Sequence, residues 1–389
     1  MIITSSPCLP KASFHCGNAI SSLSADLISR CQKEIRKGPE PLVIPTPWNL
    51  HGLPYERLYM ETYGREGSYE DILSFTKDYV AAAAEETAYF LHTGEHIGQH
   101  SDTDSDFVAF TEECFVKLIE MGYVVKAEEV WYIDTKRLLQ EYEISSILER
   151  VSCYPEYHRA SIIKEQKTFD NYYPISKHRV FTAKACYKGE TICINPIFQS
   201  FIYPLYLAQQ YGEKCVFAFT GGSGFSSLKW HYYRQLISVV LTNNHSVDTI
   251  FLHGTILGDD RKPMSKHSSN TLHPSDLYRM QMERNFVRYV LIRSISDNNI
   301  PIQLEKAVTE YKKIKRKLLQ IQNTLLKPVP NGKEGLLQEA QKYLTEYRFN
   351  LALETFYVYL KGTQFSEEGD EQVAGQLKLL FRIFFDFKE

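Results

Sequence analysis

The chain has 389 residues, 43% of them hydrophobic, and a formal net charge of −3 at pH 7. That apolar share buries a sizeable core and excludes general disorder, while the length is too great for one simple domain and implies two or three. No charged-then-apolar leader and no run of about 18 apolar residues is present, so neither export nor membrane insertion is expected. The eight cysteines, at 8, 16, 31, 114, 153, 186, 193 and 215, include no C-x-x-C pair, which points to reduced thiols in a cytoplasmic protein and away from a zinc knuckle.

In chain order, Ile2-Ile3-Thr4 is a short β-branched strand, and Pro7 and Pro10 break regular structure. A helical period then runs through Ile20, Leu23, Leu27, Ile28, Cys31 and Ile35. Between strand and helix stands His15-Cys16-Gly17-Asn18. Gly17 permits close backbone approach, the helix start is expected to present unpaired N–H groups and partial positive charge, and His15 adds a side-chain donor; together these suit a phosphate. A second strand, Leu42-Val43-Ile44, leads to Trp48-Asn49-Leu50-His51-Gly52-Leu53-Pro54-Tyr55-Glu56. His96-Ile97-Gly98 follows an Ala/Glu-rich helical stretch instead of a strand, so it is not read as a phosphate element. Asp102, Asp104 and Asp106 alternate without the glycine and distal glutamate of a calcium loop, so no metal site is expected.

Residues 129–204 are rich in Tyr and β-branched residues around Arg179 to Thr182 and Thr191 to Ile194, which predicts a small, partly β insertion. A strand at Cys215 to Phe219, a helix from about Leu228 to Leu241 and a strand at Thr249 to Leu252 follow. His253-Gly254 then precedes the loop Met264-Ser265-Lys266-His267-Ser268-Ser269-Asn270. Beyond Pro274 the pattern is helical, interrupted at Pro328 to Gly332. In that tail Leu304, Val308, Tyr311, Ile314, Leu318, Ile321 and Leu325 form one stripe, with Lys312, Lys313, Lys315, Arg316 and Lys317 outside it. The basic run reads either as a solvated helix face or as an RNA contact. The aromatics Trp230, Tyr232 and Tyr233, and Phe381, Phe384 and Phe385, fall at helical spacing and read as core.

His15-Cys16-Gly17-Asn18 and Met264 to Asn270 together resemble the HIGH and KMSKS signatures of class I aminoacyl-tRNA synthetases, most closely the methionyl, leucyl and isoleucyl branch. Ala25-Asp26 and Arg30, the His51-Gly52-Leu53-Pro54 segment, Phe115 to Tyr123, Phe251 to Gly254, Asn270, Pro274, Asp276 and Arg288-Tyr289 match that branch in order. The resemblance implies an α/β fold: a Rossmann-like nucleotide-binding core in two halves, residues 1–128 and 205–275, a connective insertion at 129–204 too short for a large editing domain, and a helical bundle at 276–389. It implies a site for ATP with Mg²⁺, where His15, Asn18 and Lys266 are catalytic. Cys16, Gly17, Gly222, Gly224, His253, Gly254, Met264 and Ser265 would bind the nucleotide, and Pro7, Trp48, Asn49 and His51 the acid.

Departures from the pattern bear on function. Asn18 replaces the second histidine of HIGH, and Pro263 falls at the first KMSKS lysine unless Lys262 takes that place. Asn49 stands where the branch has an aspartate for the substrate ammonium, and a neutral amide binds an ammonium less strongly. Gly224-Phe225-Ser226 stands in place of a Gly-Lys-Asp turn. The expected function is ATP-dependent activation of an amino acid or an amine-free acid as its adenylate, followed by transfer to a tRNA 3′ end or a small-molecule amine. The alternative is a non-catalytic paralogue serving as a binding or regulatory module. No DNA or membrane partner is expected.

Overall fold

The computed structural model describes residues 1–10, 14–91, 100–165, 170–212, 217–222, 225–258, 260–262, 264, 270–322 and 326–385. Two compact units interleave along the chain, the first from residues 1–13, 46–84 and 98–252, the second from 14–45, 85–97 and 253–389.

The first unit is built on parallel strands in the order Ile2–Ser5, Phe217–Gly222, Thr249–His253, Ser152–Tyr154. Ile2 to Ser5 are buried throughout, as expected where both faces of a parallel sheet are covered. The register sets Ile2 opposite Phe217 and Ser5 opposite Thr220, so the Ser5 and Gly222 ends emerge on the same edge. The helices Ser105–Glu120, Pro196–Tyr211 and Phe225–Thr242 pack against one another. Between residues 124 and 193 lie an antiparallel sheet of Val124–Ala127, Val130–Asp134 and Tyr172–Pro174, whose first strand precedes the expected insertion at 129–204, and a hairpin of Lys184–Tyr187 with Glu190–Cys193. Thr191 to Cys193 lie in that hairpin, whereas Arg179 to Thr182 form no strand.

In the second unit the helix Cys16–Glu34 packs against Arg284–Arg293 and Glu371–Phe384. Its buried stripe, Ile20, Leu23, Leu27, Ile28 and Cys31, is the one its period predicts. Arg288, 1% exposed, donates to an Asp26 oxygen at 2.8 Å and to the carbonyls of Phe90 and Phe384, while Arg30 pairs with the same Asp26 oxygen at 3.2 Å. These family-like positions thus lock the first helix to the bundle. The tail forms the helices Leu304–Gln322, Gly335–Thr345 and Phe349–Gly362. Pro328-Val329, which interrupts the helical pattern, lies in a strand, Lys327–Val329, paired antiparallel with Gln364–Ser366. Tyr311, Ile314, Leu318 and Ile321 are buried as their stripe requires; Leu325 lies outside the described residues. Tyr232, Tyr233, Phe381, Phe384 and Phe385 are core residues of their units. No described helix is long and apolar enough to cross a membrane.

Candidate functional site

In the second unit, His15 caps the first helix with extended backbone, and its Nδ1 accepts from the Gly17 N–H at 3.0 Å. The ring lies so close over residue 17 that a Cβ there would stand 2.8 Å from His15 Cε1. Gly17 is therefore required by the imidazole above it, and the backbone needs no unusual dihedral. Since Nδ1 accepts, the ring proton sits on Nε2, which is the donor His15 has to offer. Burial, aided by the charge of His273, pushes His15 down to about 4 and keeps it neutral at pH 7. His273 in turn meets the Phe14 carbonyl at 3.3 Å through Nδ1, and its N–H donates to Asp276 Oδ2 at 3.0 Å, which fixes the Pro274-x-Asp276 turn.

The amides at this helix start are not open, contrary to expectation. The Cys16 N–H donates to the Leu272 carbonyl at 2.8 Å, the Gly17 N–H to His15 Nδ1, and the Asn18 N–H to the His15 carbonyl at 2.9 Å. Asp276, Leu272 and His273 come from a segment some 250 residues away, which periodicity cannot see. The Cys16 thiol is buried and pushed well above its usual range by burial, with Glu86 and Asp276 adding to it. Asn18 is half-buried on the first turn.

His253 ends its strand with both ring nitrogens engaged: Nδ1 donates to the Gly254 carbonyl at 2.8 Å and Nε2 accepts from the Ser21 hydroxyl at 2.7 Å. Burial pushes it down to about 4. Gly254 is glycine for a packing reason, because a Cβ would lie 2.2 Å from the Asn298 carbonyl oxygen. The neck of the following loop is closed by Asn270, whose amide donates to Asp260 Oδ1 at 2.9 Å, and by the Gly258 N–H, which donates to the Lys262 carbonyl at 2.9 Å. Met264 is half-buried; Ser265 and Lys266 lie outside the described residues.

In the first unit, Trp48-Asn49 is held between two loops, the Asn49 N–H donating to the Cys8 carbonyl and the Trp48 N–H to the His100 carbonyl, each at 2.8 Å. Beside it lies a narrow cleft with room for about one water-sized group, walled by Pro7, Pro47, Trp48, Phe107, Pro196 and Tyr203. Asn49 and Asp102 are also among its lining residues, its surface is almost wholly apolar, and the Asn49 Oδ1 is buried without a hydrogen-bond partner. Asp102, 6% exposed, accepts from the Leu50 N–H at 2.8 Å and the His51 N–H at 3.1 Å. Burial raises its carboxyl, opposed by His51 and these amides. His51 is buried behind them: Nδ1 donates to Gln199 Oε1 at 2.7 Å, and Nε2 meets the Tyr69 hydroxyl at 3.0 Å. Thus Pro7, Trp48 and Asn49 line one cleft, His51 supports its wall, and Asp102, Gln199 and Tyr69 join them unforeseen. The only sequence signal for Asp102 was the acidic alternation already set aside as a calcium loop.

The cleft's far wall is the helix Pro196–Tyr211, started by Pro196 and by Asn195 Oδ1, which accepts from the Ile197 N–H at 3.2 Å. Pro204 inside it has no N–H for the Ser200 carbonyl, and the buried Arg234 fills that place, its Nε donating to Ser200 O at 3.0 Å. Gly222 ends its strand half-buried. The adjacent Gly221 is packed so that a Cβ would meet Ser6 Oγ at 2.9 Å; Gly224 lies outside the described residues. Among the described residues no group of three metal-ligating side chains occurs.

No family model and no curated protein sequence matches the chain. Solved structures do. A Mycobacterium tuberculosis methionyl-tRNA synthetase bound by methionyl-adenylate superposes with a TM-score of 0.69 at 14% identity, over 98% of this chain and 88% of that one. A second structure of the Mycobacterium tuberculosis enzyme, in complex with methionyl-adenylate, gives 0.70 at 14% identity over 98% and 89%. The protein has the class I synthetase fold, as the signatures implied.

Proposed function

We propose that the protein activates an amino acid or related carboxylic acid with ATP and passes the acyl group to an acceptor. In the first step a carboxylate oxygen of the acid attacks the α-phosphorus of ATP, the bond to the β-phosphate bridging oxygen breaks, and pyrophosphate leaves with its electron pair. The observation that carries this reading is the fold likeness over 98% of the chain to a synthetase bound by methionyl-adenylate. The His15-Cys16-Gly17-Asn18 segment, standing at the start of the first helix, supports it.

His15 donates from Nε2 to a phosphate oxygen, and Asn18 adds its amide. Gly17 keeps the imidazole in place, and Cys16 fills the space behind it. His253 and Gly254 are positioning residues here, since the imidazole nitrogens and the glycine face are committed to Ser21, Gly254 and Asn298. Lys266, with Ser265 and Met264, offsets the charge that grows on the leaving group. Gly222 and Gly224 are the glycines assigned to nucleotide contact. Mg²⁺ enters with the ATP phosphates and neutralises part of their charge. Pro7, Trp48, Asn49 and His51 shape the acid pocket.

A tRNA 3′ end is the acceptor favoured by one surface feature: a cleft between the helices Leu304–Gln322 and Phe349–Gly362 is lined by Lys313, Arg316, Lys317 and Lys361 with no acidic residue among the described ones. A small-molecule amine is the other acceptor. The non-catalytic reading draws on the first-turn amides already bonded to Leu272 and His15.

ATP–pyrophosphate exchange over a panel of amino acids and amine-free acids tests the proposal, with Lys266→Ala as control. Exchange that depends on one acid and disappears in the control is expected. Absence of exchange together with absence of ATP binding would replace this reading with the non-catalytic module.

A further inference from the structure

A second cleft in the first unit, of about 290 Å³, is large enough for a small ligand and is lined mostly by polar side chains. It is built where the strands Ser152–Tyr154 and Thr249–His253 begin, from the two flanks of the short helix Ile144–Leu148 and from the C-terminal end of the helix Phe225–Thr242. Open α/β sheets bind nucleotides at the opposite, carboxyl ends of their strands, here about 13 Å away along Thr249–His253. The cleft is therefore a separate site.

Of the ionisable side chains on its lining, Glu141 pairs with Arg137 at 2.8 Å and His245 pairs with Asp248. Glu143 accepts only the Ser145 hydroxyl, at 2.9 Å, and neither Glu143 nor Arg150 forms an ion pair with the other or with any described residue. They flank the helix Ile144–Leu148 at either end, about 10 Å apart by helical rise. Two opposite charges thus border one cleft without meeting. Ile147 and Val239 give the same cleft an apolar surface, and Asn243, which ends the long helix with φ 58°, adds a free carboxamide. An α-amino acid carries both its charges on one carbon and cannot reach both groups. An extended dipeptide spans about 7 Å between its ends, a gap that two long side chains set about 10 Å apart can close on.

We propose that this cleft binds a free dipeptide, with the carboxylate on the Arg150 guanidinium, the ammonium on Glu143 and the peptide group on the Asn243 carboxamide. A guanidinium fork matches a carboxylate in shape as well as charge. The partial negative charge at the end of Phe225–Thr242 favours the ammonium. The assignment is independent of the adenylation reading, since none of its residues belongs to that site.

The test is isothermal titration calorimetry of the full chain with glycyl-leucine, leucyl-glycine and alanyl-phenylalanine, and with the N-acetyl and C-terminal amide forms of whichever binds most tightly. A free dipeptide is expected to bind, and either capped form to bind about tenfold or more weakly. Arg150→Gln should erase the preference over the amide and keep that over the N-acetyl form; Glu143→Gln should do the reverse. Both side chains are exposed, so the variants should melt as the parent does. Asn243→Gly suits a positive φ and should weaken the dipeptide several-fold with stability retained. Saturating leucine should leave dipeptide binding unchanged. No dipeptide binding up to millimolar concentration, equal binding of capped and free forms, or loss of dipeptide binding in the presence of leucine would each overturn the assignment.

Discussion

At the residue scale, His15 and Gly17 act as one unit, because the imidazole occupies the space a residue-17 side chain would need. Gly17→Ala should therefore push the ring aside without straining the backbone. We expect the protein to unfold at an unchanged urea midpoint while pyrophosphate exchange falls by about a hundredfold, the scale on which a single charge-stabilising donor acts; unaltered exchange would separate His15 from the chemistry. The two histidines pushed to about 4, His15 and His253, make a second prediction. Their folded values lie below the ordinary 6.5, so between those limits the unfolded chain takes up protons that the folded chain refuses. Stability from these groups is complete above about pH 6.5 and declines as pH falls toward 4. Urea titrations from pH 7 to 4.5 should show that decline, and His253→Gln should remove about one proton from its slope. The helix start at His15 to Asn18 was legible because a strand, a glycine and the onset of a helical period are local signals. The place of Asp102 was not, since it depends on the Leu50 and His51 amides meeting it across some 50 residues of chain.

At the scale of elements, the helix Pro196–Tyr211 contains a defect and its repair. Pro204 deprives the Ser200 carbonyl of its intrahelical donor, and Arg234 from the helix Phe225–Thr242 supplies another. Arg234→Met should cost about 1–3 kcal/mol by leaving that carbonyl unsatisfied. If the repair is the reason, Pro204→Ala, which restores an N–H at position 204, should reduce the cost of Arg234→Met; a positive coupling of about 1 kcal/mol in the double-mutant cycle is the expected value. Strict additivity would mean that Arg234 serves another partner. Because Ser200 and Tyr203 line the cleft beside Trp48, the same cycle should appear in the affinity of any acid bound there as proposed, as well as in stability. The first helix shows the complementary case. Its Asp26 neutralises the buried Arg288, and Asp26→Ala leaves a guanidinium without its charge partner, so a loss of about 3 kcal/mol in the urea midpoint is expected. Sequence reading placed both residues as family-like positions, but only the packing of the helices explains why they are kept together.

At the scale of the whole molecule, the signatures at 15–18 and 264–270 pointed to the fold that the solved neighbours share over nearly the full chain, although identity is only 14%. Parallel strands with helices between them survive such divergence because burial pattern, not residue identity, maintains them. What charge adds is a prediction about partners. The chain is net negative at −3, so general attraction to nucleic acid is absent and any affinity must come from a local surface. Within the basic run, Lys315 is paired with Glu283, and Lys317 donates to the Thr363 carbonyl at 2.6 Å while lying over the Phe365 ring. Lys313, Arg316 and Lys361 remain exposed around their cleft. If these three meet phosphates, binding of total tRNA should weaken steeply with salt, and replacing all three by serine should flatten the log–log slope by about 2 to 3, since each phosphate contact contributes about 0.7–0.9. Lys315→Ser should lower stability through Glu283 and leave the slope unchanged. A slope insensitive to the triple replacement would assign the run to a solvated helix face and move the acceptor to a small-molecule amine.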